Sequence, residues 1–79
     1  MNRLLSLAMN ETGFAFDPSA GESYTVNHTA REIIELLKRG MEVEDIVKRI
    51  SSEYEMPFEE VYTDVIELIE KLRVYGFIS

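Results

Sequence analysis

The sequence contains no cysteine and no tryptophan, a single histidine, and no long apolar run. Without cysteine the chain can form neither a disulfide framework nor a thiolate metal site, which fits a reducing compartment. The apolar run at residues 4–9 lacks a clear small-residue cleavage site, and no stretch approaches the roughly 18 residues that cross a bilayer. We therefore expect residues 1–79 to form a single, soluble, cytoplasmic domain.

Positive charge is also scarce. Eight Lys and Arg residues stand against 15 Asp and Glu residues, and the net charge is −7. Such a charge repels phosphate backbones and anionic membrane surfaces. A DNA-recognition helix would carry outward Arg, Lys, Asn or Gln, whereas the predicted last helix carries Glu59, Glu60, Asp64, Glu67 and Glu70. We therefore expect neither a nucleic-acid nor a membrane partner.

The residue types that perform catalysis are missing as a cluster. General acid–base and nucleophilic chemistry need positioned His, Cys, Lys or paired carboxylates in a cleft. His28 is the only histidine and lies beside a helix cap, where a solvated side chain is the simpler interpretation. The carboxylates are spread along helix faces, and no glycine-rich phosphate loop is present. The sequence predicts a protein that is not an enzyme, with no catalytic residue, no metal and no cofactor.

Alternating apolar residues in the first third predict three short strands. Turn chemistry at residues 10–13 and 17–21 separates them, with Gly13 and Gly21 closing the turns. Loops this short favour an antiparallel meander with one apolar face. That face is predicted to carry Leu5, Leu7, Met9, Phe14, Phe16, Tyr24 and Val26.

Three amphipathic helices follow. Asn27 is a good N-cap for the first helix, Gly40 ends it, Pro57 lies near the start of the third, and Gly76 stops the third. Apolar residues recur at intervals of three and four through all three segments. The predicted fold class is α+β: a three-stranded antiparallel β-sheet followed by a three-helix bundle, in a winged-helix-like arrangement.

Two features of this fold could bind a partner. The third strand ends the meander, so its outer backbone groups are free to pair with an added strand. On the third helix, Tyr62, Ile66 and Ile69 widen the apolar surface, with Arg73 at its end. That wider surface either packs against the sheet as core or lines a groove beside the third strand. In the second case the chain would be a peptide clamp.

The order of these signals resembles the PqqD family, which recognises ribosomally made, post-translationally modified peptides. The similarity covers nearly the whole chain. It comprises the Asp17…Gly21 turn, the strand ending at Asn27, Ile33-Ile34…Leu37…Gly40, Val43…Ile46-Val47 with Tyr54, Glu60-Val61…Asp64-Val65…Leu68…Leu72 and Gly76-Phe77-Ile78.

The resemblance implies that a leader peptide adds as a strand to strand three and lies against helix three. It implies backbone contacts at Ser23, Tyr24, Thr25 and Val26, and side-chain contacts among Tyr62, Ile66, Ile69 and Arg73. It also implies a radical S-adenosylmethionine enzyme, or another modifying enzyme, as partner. The iron–sulfur clusters would belong to that enzyme. Because helix three is acidic, we expect a basic and apolar leader.

A second function remains open from the sequence. The chain could be a non-catalytic assembly or docking subunit of a larger enzyme complex. Strand three would then pair with its own copy, or the apolar surface would dock onto the larger enzyme. A self-pairing edge gives a concentration-dependent dimer, whereas an empty peptide clamp is expected to be a monomer or weak dimer.

Overall fold

The computed structural model of the protein describes residues 3–78 and confirms the predicted α+β class. Three antiparallel strands in the order β1-β2-β3 precede three helices. The elements are a short 3₁₀ helix (Leu4–Ser6), β1 (Ala8–Met9), β2 (Phe14–Asp17), β3 (Glu22–Thr25), α1 (His28–Lys38), α2 (Val43–Tyr54) and α3 (Phe58–Val74). The helices cover one face of the small sheet, and this arrangement leaves its other face open.

The first predicted strand is wrong over most of its length. Residues 4–6 form a 3₁₀ turn, and the strand itself is only Ala8–Met9. Side chains three apart share a side of such a turn, so Leu4 and Leu7 are 2% and 3% exposed while Leu5 is 74% exposed. In a strand every second residue of this apolar run would share one face, and in a 3₁₀ turn every third residue does. The run fits both patterns, and packing of Leu4 and Leu7 in the core selects the turn.

The predicted apolar face of the second strand is also wrong. Phe14 and Phe16 are 52% and 44% exposed, whereas Ala15 and Asp17 are buried. The reason lies beneath the strand, where Ala15 packs in one cluster with Ile34 of α1 and with residues of the C-terminal region. The helices approach the sheet closely at this point, so a small side chain fits there and the two rings point outward.

The apolar core has two parts that meet at α1. Between the helices lies a cluster of Ile33, Leu36, Ile46, Val47, Ile50, Val61 and Val65. Beneath the sheet lies a second cluster of Leu4, Leu7, Ala15, Ile34, Leu72 and Phe77. Burial of each Ile or Leu side chain contributes about 1.5–3 kcal/mol. Because the neighbouring Ile33 and Ile34 enter different clusters, α1 holds the sheet and the bundle together.

The predicted helix boundaries are confirmed by local hydrogen bonds. The Asn27 side chain accepts from the Ala30 N–H at 2.7 Å and so caps α1. At the end of α3, Gly76 has a φ of 84°, which lets the chain reverse, and the Phe77 N–H donates to the Leu72 carbonyl at 2.8 Å. The reversal places Phe77 beneath the sheet at 1% exposure.

A set of contacts around Arg3, here called the Arg3 clasp, ties both ends of the fold to the β2–β3 turn. The Arg3 guanidinium lies 3.3 Å from the buried Asp17 carboxylate and donates to the Ser19 hydroxyl at 2.7 Å. It also donates to the Tyr75 and Gly76 carbonyls, at 3.3 and 3.2 Å. Because its partners come from two distant segments, the β2–β3 turn and the C-terminal end, Arg3 fixes the end of α3 relative to the sheet.

Asp17 is held in its ionised form by this network. The Ser19 hydroxyl and N–H donate to its second oxygen at 2.8 and 3.1 Å. The Ser19 hydroxyl is the main cause that lowers the pKa of Asp17 below its ordinary 3.8, and Arg3 adds to the effect although burial opposes it. A lowered pKa stabilises the fold at pH values above 3.8, and this contribution disappears as the pH falls through the folded-state value.

Asp17→Asn is therefore expected to lower the free energy of unfolding at neutral pH, because the amide loses the charge-assisted contacts. The difference in free energy of unfolding from the wild type should narrow as the pH falls below 3.8 and the wild-type carboxyl becomes protonated in the folded state too. Urea unfolding at a series of pH values measures the difference. Asp64→Asn, at an exposed position of α3, is the control. A difference in the free energy of unfolding that does not change with pH would contradict the conclusion that Asp17 is ionised in the folded protein.

Candidate functional site

The outer edge of β3 offers unpaired backbone groups. Because β3 is last in the order β1-β2-β3, only one of its sides is paired within residues 3–78. The Val26 N–H donates to the Gly13 carbonyl at 2.8 Å. Successive residues of an antiparallel strand direct their backbone groups to opposite sides. Tyr24 and Val26 therefore face β2, and the N–H and C=O groups of Ser23 and Thr25 face the free edge.

Tyr24 belongs to a group of aromatic side chains between β3 and the C-terminal end of α3. Its ring centroid lies 5.0 Å from that of Tyr75 and 5.9 Å from that of Phe77, in the latter case edge to face. Its hydroxyl donates to the Glu22 carboxylate at 3.0 Å. Partial burial, followed by this hydrogen bond, raises the pKa of Tyr24 above 10.0. The neutral phenol thus links β3 to the end of α3.

An open cavity of about 450 Å³, here called the edge groove, lies between β3 and α3. Its floor is apolar because Ile34, Leu72 and Phe77 are buried core residues. Tyr75, which is 51% exposed, and Lys71 stand on its α3 side. The complete lining is Leu7, Ala15, Ser23, Tyr24, Thr25, Val26, Asn27, Ala30, Ile34, Leu68, Lys71, Leu72, Tyr75 and Phe77. An extended chain at the β3 edge would thus lie next to an apolar depression.

A second cavity of about 350 Å³, here called the helix cavity, continues along α3 toward its N-terminal half. It shares Asn27, Ala30, Leu68 and Lys71 with the edge groove. Its remaining lining is Thr29, Ile33, Ile50, Met56, Val61, Asp64 and Glu67. The two cavities therefore adjoin each other along the side of α3 that faces β3 and α1.

The α3 residues predicted for the site lie on a different face of the helix. Tyr62, Ile66, Ile69 and Arg73 are absent from the lining of the edge groove. At 3.6 residues per turn their mean direction is roughly 140° away from that of the α3 residues that line it. The edge groove is therefore lined by a different face of α3 from the one expected from the sequence. Their contact with a partner stays a prediction.

These four side chains have other neighbours in the structure. Tyr62 stacks on Phe58, with ring centroids 6.3 Å apart, and Ile69 packs against the interhelical core. Arg73 forms an ion pair with Glu70 on the same helix. Ile66 is half-buried. On α3 and at its C-terminal end, the groove residues that sequence analysis did not assign to the site are Leu68, Lys71, Leu72 and Tyr75; their spacing of three and four was the available signal.

The described part of the chain shows no sign of a metal centre or a membrane span. Across residues 3–78, no three His, Asp or Glu side chains are grouped so that they could hold a metal ion. No helix in the same range combines the length and hydropathy needed to cross a bilayer. His28, the one histidine, is exposed at the first position of α1.

Comparison with known proteins matches this architecture. A family model described as "Coenzyme PQQ synthesis protein D (PqqD)" matches residues 10–78, a range that includes β3 and all of α3. Among solved structures, the chain is similar to one described as "Lasso peptide synthetase B1 complexed with the leader peptide". The TM-score is 0.78 at 29% identity, over 90% of this chain and 85% of that one. Comparison with curated proteins gave no match.

Proposed function

The chain belongs to the PqqD family, and from this membership we propose that it binds the leader segment of a ribosomally made precursor peptide. The observation that carries the proposal is the outward-facing edge of β3 beside the apolar edge groove. Backbone pairing at such an edge supplies affinity, and pockets for alternate side chains supply specificity. The similar lasso peptide synthetase B1, which is complexed with a leader peptide, supports the same role.

In this role the leader adds as a fourth strand. Its backbone pairs with the outward groups of Ser23 and Thr25, within the predicted contact segment 23–26. Every second side chain of an extended peptide points to the same side. Those on the inner side enter the edge groove between Tyr24 and the α3 residues Leu68 and Leu72. The peptide thereby covers apolar side chains that the free protein leaves partly open to water.

The charge of the protein favours a basic and apolar leader. A net charge of −7 attracts cationic peptides at long range and repels acidic ones. Attraction of this kind raises the association rate more than the final affinity. Burial of the leader's apolar side chains in the edge groove would then determine the dissociation rate of the complex.

We propose that the protein is non-catalytic and acts as a recognition element in peptide natural-product biosynthesis. It would present the precursor to a modifying enzyme, for which a radical S-adenosylmethionine enzyme is the specific candidate. That enzyme would hold the iron–sulfur clusters and perform the chemistry. Because the precursor is ribosomally made, the expected compartment is the cytoplasm.

Thr25→Pro should weaken peptide binding at least tenfold, because proline removes an N–H that faces the free edge. Thr25→Val is the matched control: it keeps the N–H and favours strand structure, so its binding should equal that of the wild type. Amide chemical-shift titration with short basic-apolar peptides measures both and verifies folding. Equal binding by a folded Thr25→Pro variant would exclude strand addition at this edge.

Tyr75→Ala should weaken leader binding by about 1–2 kcal/mol, or roughly five- to thirtyfold, because it removes an exposed ring from the wall of the edge groove. Tyr62→Ala removes a ring of similar exposure, 46% against 51%, from the other face of α3. It should leave binding unchanged. Isothermal titration of both variants with one peptide compares the two faces. A larger loss of affinity with Tyr62→Ala than with Tyr75→Ala would place the binding site on the α3 face predicted from the sequence.

One observation favours a second candidate, the docking or assembly subunit. Phe14 and Phe16 are exposed on the face of the sheet that the helices leave open, and a folded partner could cover them. Self-pairing at β3 would be another form of this function.

Analytical ultracentrifugation over a hundredfold range of protein concentration separates the peptide-binding function from self-assembly through β3. If the β3 edge binds a peptide, the protein without peptide should sediment as a monomer or a weak dimer, because the edge does not pair stably with its own copy. A stable dimer that Thr25→Pro dissociates would instead support self-assembly through β3. Phe14→Ser, which alters the open face and leaves the β3 edge intact, is the control.

A further inference from the structure

The helix cavity is not accounted for by strand addition at β3. It lies between the start of α1 and the part of α3 from Val61 to Lys71, beyond the point where β3 ends at Thr25. Its walls include the buried side chains of Ile33, Ile50 and Val61. A cavity of about 350 Å³ has room for one long side chain.

Two carboxylates line this cavity. Asp64 and Glu67 are three residues apart on α3, so they lie on neighbouring parts of one face. Within residues 3–78, neither forms an ion pair or a side-chain hydrogen bond, and Lys71, which also lines the cavity, is paired with neither. By contrast, Glu70 on the exposed side is paired with Arg73. The negative charges of Asp64 and Glu67 at the helix cavity are therefore available to a partner.

The helix cavity adjoins the edge groove. Asn27, Ala30, Leu68 and Lys71 line both. Pairing with β3 ends at Thr25, since Asn27 already caps α1. A peptide that leaves the edge at this end therefore passes Asn27 and meets the helix cavity next.

We propose that the helix cavity binds a lysine or arginine side chain of the same peptide, from the residues that extend beyond the Thr25 end of β3. This inference rests on the proposed function and adds a specificity determinant to it. The aliphatic stem lies against Ile33 and Val61, and the cationic head reaches Asp64 and Glu67. Since both carboxylates are exposed, the expected gain in affinity is modest, roughly three- to tenfold at low salt.

The test uses synthetic peptides of alternating leucine and threonine, extended at one end or the other by Gly-Lys-Gly. Each has a counterpart with Gly-Gln-Gly. The β3 edge selects one peptide direction, so one lysine peptide should bind three- to tenfold tighter than its glutamine counterpart. Chemical shifts should change at Ser23 and Thr25 with all bound peptides, and at Asp64 and Glu67 only with that lysine peptide.

The double variant Asp64→Asn/Glu67→Gln should abolish the lysine preference while the glutamine peptides bind as before. Glu59→Gln/Glu60→Gln is the matched control, because it removes the same charge from the same helix outside the cavity, and it should keep the preference. Equal binding of lysine and glutamine peptides at both ends, with normal shifts along β3, would overturn this inference alone. A preference that survives in the double variant would also overturn it. Absence of shifts along β3 with every peptide would overturn strand addition itself.

Discussion

The pairing of β3 with β2 determines which backbone groups the protein offers to a partner. The Val26–Gly13 hydrogen bond of 2.8 Å sets its register, and that register turns Ser23 and Thr25 toward the free edge. A shift by one residue would exchange the faces of every side chain in β3. Gly13 supports the register with a φ of 98°, and a Cβ there would lie only 3.1 Å from the Val26 carbonyl oxygen. The same register places Tyr24 opposite Ala15, above the groove floor.

The shape of the edge groove depends on how close α3 comes to the sheet. Ala15 leaves room for Leu72 and Phe77 beneath the strand, and a larger residue there would push the helix away. The Arg3 clasp then fixes the last turn of α3 through the Tyr75 and Gly76 carbonyls. Ala15 thus lets the C-terminal part of α3 lie close to the sheet, and Arg3 fixes the position of its last turn.

Features determined by neighbouring residues were predictable from the sequence. Asn27, Gly40 and Gly76 mark helix ends through contacts with residues a few positions away, and the structure confirms them. The side on which Phe14 and Phe16 lie depends on the depth available beneath Ala15, which distant segments determine. The burial of Asp17 likewise depends on Arg3, fourteen positions earlier. Hydrophobicity alone therefore favoured the wrong face of β2.

The orientation of α3 was difficult to predict for a related reason. Apolar residues occupy much of its circumference: Val61, Val65 and Leu72 are buried, and Tyr62, Ile66 and Ile69 extend the surface to one side. A wide apolar pattern shows that a helix is buried but does not show which edge faces β3. That choice is made by the packing of α2 and α1 against the helix. The family resemblance correctly implied the fold, but it did not place individual side chains of α3.

The Arg3 clasp also brings the two ends of the described chain together. The Arg3 N–H donates to the Phe77 carbonyl at 2.8 Å, so residues 3 and 77 are direct neighbours. A domain with adjacent ends can be inserted into a loop of another protein, or circularly permuted, without strain on its interior. The connections would leave from the corner beside the β2–β3 turn, where Asp17 and Ser19 meet Arg3. This fold is therefore suited to be carried within a longer chain as well as to act alone.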